Sequence, residues 1–85
     1  MQTALDKEIS MQPLFVRGEW DAEAKVWVAT SDDVPGLVTE ADTVEALISK
    51  LETLIPELLE ANGVADSAVP FELLTRRFQT TRHAA

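Results

Sequence analysis

The residues best suited to chemistry in this chain are its carboxylates. Glu19, Asp21, Asp32, Asp33, Glu52 and Glu72 would make a two-metal acidic centre if they pointed into one pocket. Most belong to turns or to the polar face of a helix, where solvated acids are ordinary, so no metal is expected. Ser31, Ser49 and Ser67 lie outside any G-x-S-x-G elbow, and His83 is the single histidine; a hydroxyl nucleophile with a histidine base is not expected. One histidine and no cysteine also argue against a protein-only zinc site and a disulfide framework. No glycine-rich phosphate loop is present. These readings point to a protein that is not an enzyme and holds no cofactor.

The basic residues tell a second story. Arg76, Arg77 and Arg82, with Phe78 among them, resemble a weak nucleic-acid patch. A formal net charge of −8 repels phosphate backbones, so direct DNA binding is not expected. Two structural readings rank higher: an edge strand guarded by charge, or a contact with the acidic face of a second copy. Trp20 and Trp27 read as core or interface anchors.

The elements that position these residues are organised around one helix. From Asp42 to Gly63, the positions Val44, Leu47, Ile48, Leu51, Leu54, Ile55, Leu58 and Leu59 recur at the spacing of one helical stripe. Asp42 is the expected N-cap, with Glu45 three residues on to complete a capping box. Asn62-Gly63 is a C-terminal stop. Pro56 removes a donor inside the helix and predicts a bend. A stripe of this kind cannot cover itself. Burying each large aliphatic side chain is worth roughly 1.5–3 kcal/mol, so the helix needs a sheet or a second chain to cover it.

That sheet is readable from alternation. Leu14 to Trp20 reads as a strand, with Leu14, Val16, Gly18 and Trp20 on one face and Phe15, Arg17 and Glu19 on the other. Gly18 marks a bulge or a close approach of another backbone. Residues 21–24 connect to a return strand, Val26 to Ser31, whose two faces are both fairly apolar, as in a central strand. Pro35-Gly36 predicts a type II turn. Leu37 to Glu40 is a short third strand, and Val69 to Thr80 a last strand opened by Pro70. The spacing leaves open which sheet face meets the helix.

The order is β-β-β-α-β. It predicts a two-layer α+β fold, an antiparallel sheet with one long helix on one face. The 85 residues allow one small domain, over residues 13–80, with an N-terminal arm over 1–12 and a tail over 81–85. The uncovered sheet face is left for a partner. No apolar run approaches the length of a membrane span, and the first ten residues lack the order of a signal peptide, so a cytoplasmic protein is expected.

The run from Trp27 to Leu47, WVATSDDVPGLVTEADTVEAL, resembles the HicB family. It carries an aromatic-x-Ala strand, an acid-aliphatic-Pro-Gly turn, a short strand and an Asp-Thr that opens a helix. Ile55-Pro56-Glu57-Leu58 and Val69-Pro70-Phe71-Glu72-Leu73 resemble further features of short, uncharacterised HicB-related bacterial proteins. The resemblance covers about Leu14 to Arg77. It implies a domain likened to a degraded ribonuclease H fold without catalysis, which binds and blocks HicA, a small basic ribonuclease toxin. Many HicB members add a C-terminal DNA-binding domain. This chain ends soon after its fourth strand, so operator binding is not expected.

The expected function is therefore a non-enzymatic, antitoxin-type binding module, forming a homodimer and meeting a basic HicA-like toxin. The alternatives are a residual metal-dependent nuclease or a dimeric structural domain without a toxin. The expected partner-binding residues are Phe15, Arg17, Trp27, Asp32, Asp33, Pro35 and Gly36.

Overall fold

Alternation in the first half of the chain and a helical period in the second produce the expected element order. The computed structural model describes residues 12–64 and 69–83; most of the expected N-terminal arm, part of the connector after the helix and the last two residues lie outside them. The strands are β1 (Leu14–Asp21), β2 (Val26–Thr30), β3 (Val38–Ala41) and β4 (Phe71–Arg76), and one helix, α1 (Val44–Ala61), stands between β3 and β4. They form a single sheet in the order β3-β2-β1-β4, so β1 and β2 are its central strands.

The sheet is mixed, not antiparallel throughout. β2 runs antiparallel to β1 and to β3, but β4 runs parallel to β1. The reason is the connection. Two antiparallel steps leave β3 parallel to β1, and the helix then carries the chain back across the layer. A strand entered after such a crossover runs in the direction of the strand before it.

Pairing register settles which residues share a face. Gly18 lies opposite Ala29 and Trp20 opposite Trp27, Ala29 opposite Thr39 and Trp27 opposite Ala41. Val16 is in register with Leu73, and Gly18 with Thr75. These residues face α1. A Cβ built on Gly18 would meet Thr75 Cγ2 at 3.2 Å, Leu73 Cδ1 at 3.3 Å and Leu47 Cδ2 at 3.6 Å. Glycine at this position lets the neighbouring strand and the helix close over β1.

The core is the seam between helix and sheet. Leu47, Leu51, Ile55 and Leu59 are buried at successive turns of α1, against Val16, Ala29 and Ala41 from the sheet. Val34 and Leu37, from the loop before β3, complete it. The remaining stripe residues, Val44, Ile48, Leu54 and Leu58, are half-buried. Pro56 lies inside α1. The acceptor it leaves unpaired belongs to Glu52, an exposed position where water can take the bond.

Both helix ends are tied by specific groups. The N-cap is Thr43, not Asp42: Thr43 is extended, with φ −133° and ψ 158°, and its Oγ1 accepts from the Ala46 amide at 3.0 Å. Glu45 therefore stands one position too early for a capping box, although an acid in the first turn still suits the helix dipole. At the other end Val64 N–H donates to Leu59 O at 2.9 Å and Gly63 N–H to Glu60 O at 3.0 Å. This pair of bonds is the Schellman closure expected of Asn62-Gly63.

The turns follow their residues. Asp21 Oδ1 accepts from the amides of Glu23 and Ala24 at 3.0 and 3.1 Å, closing the β1–β2 connection. Leu37 N–H donates to Val34 O at 3.1 Å, with Pro35 and Gly36 as the central residues and Gly36 at φ +87°, as a type II turn requires. Leu37 belongs to this turn and is 2% exposed, so β3 starts one residue later than its alternation predicts.

Candidate docking face

The face of the sheet turned away from α1 is built by the residues that alternate with the core. β1 contributes Phe15, Arg17 and Glu19; β2 contributes Val28 and Thr30; β3 contributes Val38 and Glu40; β4 contributes Glu72, Leu74 and Arg76. Among the described residues no element packs over them. Val38 is 69% exposed and Leu74 58% exposed, one on each edge strand, with Phe15 and Val28 half-buried between them. The surface alternates apolar groups with charges of both signs. Such a surface suits contact with a folded partner, where a few anchored side chains carry the binding.

One corner of this face is fixed by the loop after β2. β2 ends at Thr30, opposite Arg17, and stops short of Phe15. Two side chains take over the missing ladder. Asp33 Oδ2 accepts from the Phe15 amide at 2.8 Å, and Ser31 Oγ donates to the Phe15 carbonyl at 2.6 Å. Ser31 Oγ also accepts from the Asp33 amide at 3.0 Å. The Asp33 carboxylate is thus engaged with the β1 backbone at Phe15, while Asp32 points to solvent and makes an open ion pair with Arg17 at 3.4 Å. The Arg17 guanidinium also lies 5.9 Å from the centroid of the Phe15 ring. Pro35 and Gly36 are exposed, but their turn lies on the α1 side: a Cβ on Gly36 would meet Leu58 Cδ2 at 3.6 Å, and the flanking Val34 and Leu37 are in the core.

Of the residues expected to meet a partner, Phe15, Arg17 and Asp32 come together here, with Asp33 holding the corner in place. Trp27 does not join them. It lies on the helix side, packed against the core, with its ring 5.2 Å from that of Trp20 in an edge-to-face arrangement of 61°. The Arg77 guanidinium stacks 4.2 Å from the Trp20 centroid, so the segment after β4 is tied to this aromatic pair. Sequence reasoning overlooked Val38 and Leu74. Alternation within β4 was the available signal for Leu74, once the facing of β1 was known.

The carboxylates do not assemble. Among the described residues no group of three or more histidine, aspartate or glutamate side chains is placed to hold a metal. An open groove of about 470 Å³ runs between α1 and β3, lined by Thr39, Ser49, Lys50, Thr53, Leu54 and Glu57. At its rim Lys50 Nζ donates to the Glu40 carbonyl at 2.6 Å. Among the described residues no helix is long and apolar enough to cross a membrane.

Comparison with known proteins adds a family. The model of a domain of unknown function, DUF1902, matches residues 13–84. The chain belongs to this family. Its DUF1902 domain is similar to the crystal structure of a hypothetical protein, TTHA1013, from the extremely thermophilic bacterium Thermus thermophilus. The two share 51% identity over 85% of this chain and the whole of that one, with a TM-score of 0.65. No curated protein matches the DUF1902 chain.

Proposed function

We propose that this DUF1902 domain is a non-enzymatic, HicB-like binding module that acts as the antitoxin-side partner of a small basic ribonuclease toxin of the HicA kind. The observation that carries the reading is the uncovered sheet face, with Val38, Leu74, Val28 and Phe15 exposed or half-buried among charges. The acids concentrate between Glu19 and Glu60, which gives this body the sign that attracts a basic protein and repels RNA. The motif order from Trp27 to Leu47 is the source of the HicB assignment. The loop corner at Phe15 and Asp33 supports it physically, because a pre-set corner loses little entropy on docking.

The test is to mix the purified domain with a small basic ribonuclease of the HicA type, taken from the neighbouring gene where that gene encodes one. A stable complex and loss of RNA cleavage are expected. Val28→Arg and Val38→Arg, both on the open face, should weaken the complex at least about tenfold. Absence of both complex and protection overturns the reading.

A further inference from the structure

The two edges of the sheet are treated differently. β3 is the short edge, and Lys50 Nζ sits on its Glu40 carbonyl at 2.6 Å, a cation placed where an added strand would need that acceptor. β4 is the longer edge, and among the described residues nothing pairs with its outer side. Its backbone is ready for pairing. Leu14 N–H donates to Pro70 O at 3.0 Å, and with Leu14 in register with Phe71 this sets the parity of a parallel ladder. Even-numbered residues of β4 bond to β1, while Phe71, Leu73 and Thr75 turn their amides and carbonyls outward. No proline interrupts the segment from Phe71 to Arg77.

We infer that the outer edge of β4 joins two copies of this chain, antiparallel, in the register that sets Leu74 opposite Leu74 of the second copy. Three observations select this occupant and this register. First, residues directly opposite in an antiparallel pair share a face, so Leu74, on the open face, must meet an open-face residue. Second, the register centred on Leu74 sets Leu73 opposite Thr75 of the second copy, and both turn their backbone groups outward. Third, it sets Glu72 opposite Arg76 of the second copy, and symmetry repeats the pair. Centring one residue earlier would leave Glu72 opposite Leu74 and Arg76 opposite Pro70. Centring one residue later would leave Glu72 opposite Phe78 and Arg76 opposite Leu74. Only the middle register matches charge with charge, and it buries Leu74, 58% exposed in the single chain, at the two-fold axis. The product is one continuous sheet with both helices on the same side and both open faces side by side. This assembly does not depend on the toxin-binding reading.

Sedimentation equilibrium on the full chain tests it. The wild type should be a dimer at micromolar concentration. Glu72→Arg alone and Arg76→Glu alone, each placing like charges opposite one another twice, should weaken the dimer by about tenfold or more. The double reversal should restore it. Circular dichroism checks the fold of each variant, and both side chains are exposed. A monomeric wild type, or a double reversal as weak as the single ones, overturns the proposal. A second measurement uses the absence of cysteine in the chain. Leu74→Cys should cross-link into a covalent dimer under mild oxidation, because opposed residues of a non-hydrogen-bonded pair fall within disulfide reach. Val38→Cys, on the other edge, should stay uncross-linked. The reverse pattern places the contact at β3 and overturns the proposal.

Discussion

The carboxylate of Asp33 accepts the backbone amide of Phe15 at 2.8 Å, across a gap that β2 does not reach. With the Ser31 hydroxyl on the Phe15 carbonyl, it continues the β1–β2 ladder by side chains. The Val34–Leu37 turn follows directly. Its Val34 and Leu37 are buried in the core, so this clamp holds one end of a loop whose other end is anchored by apolar packing.

The clamp predicts different outcomes for adjacent acids. Asp33→Ala should destabilise the fold by about 0.5–1.5 kcal/mol, because it removes the hydrogen bond that ties the Phe15 amide to the loop. Asp32→Ala should cost at most about 0.5 kcal/mol, since the Asp32 side chain is 88% exposed and its Arg17 partner is open to solvent. Urea unfolding of the two variants checks the contrast. Equal losses would contradict the clamp.

Two glycines should resist substitution for different reasons. Gly36 sits at φ +87°, and a Cβ there would meet only Leu58 Cδ2 at an ordinary 3.6 Å. Gly36→Ala should therefore cost about 1–2 kcal/mol from backbone conformation alone. Gly18 has an unexceptional backbone but no room. Gly18→Val should cost about 1–3 kcal/mol by forcing Thr75, Leu73 and Leu47 outward. Hydrogen exchange at the β4 amides separates the two, with protection lost more in Gly18→Val than in Gly36→Ala.

Helix capping offers a third contrast. Thr43→Ala should cost about 1 kcal/mol, because Thr43 Oγ1 holds the Ala46 amide. Asp42→Ala should cost less than about 0.5 kcal/mol, since that exposed residue leaves only a weak interaction with the helix dipole. Thermal melts at one protein concentration check the order of the two variants.

Periodicity carried much of this protein's architecture without help. The spacing of Leu47, Leu51, Ile55 and Leu59 allows only a helix with one buried side, and Pro35-Gly36 allows few turns besides the one found. The Asn62-Gly63 stop was equally legible, because its chemistry is local. The candidate face was legible only in part. Alternation puts Phe15 and Arg17 on a common side, but alternation is symmetric. It cannot say which side a helix will cover when both carry apolar groups, as in β2. Only the packing of α1 over Val16, Gly18 and Ala29 decided that Trp27 turns inward and Val28 outward. The same holds for the parallel pairing of β4, the choice of Thr43 over Asp42 as cap, and the engagement of Asp33 with Phe15. Each depends on where distant segments meet or where the chain leaves the sheet, and short-range propensity does not encode those relations.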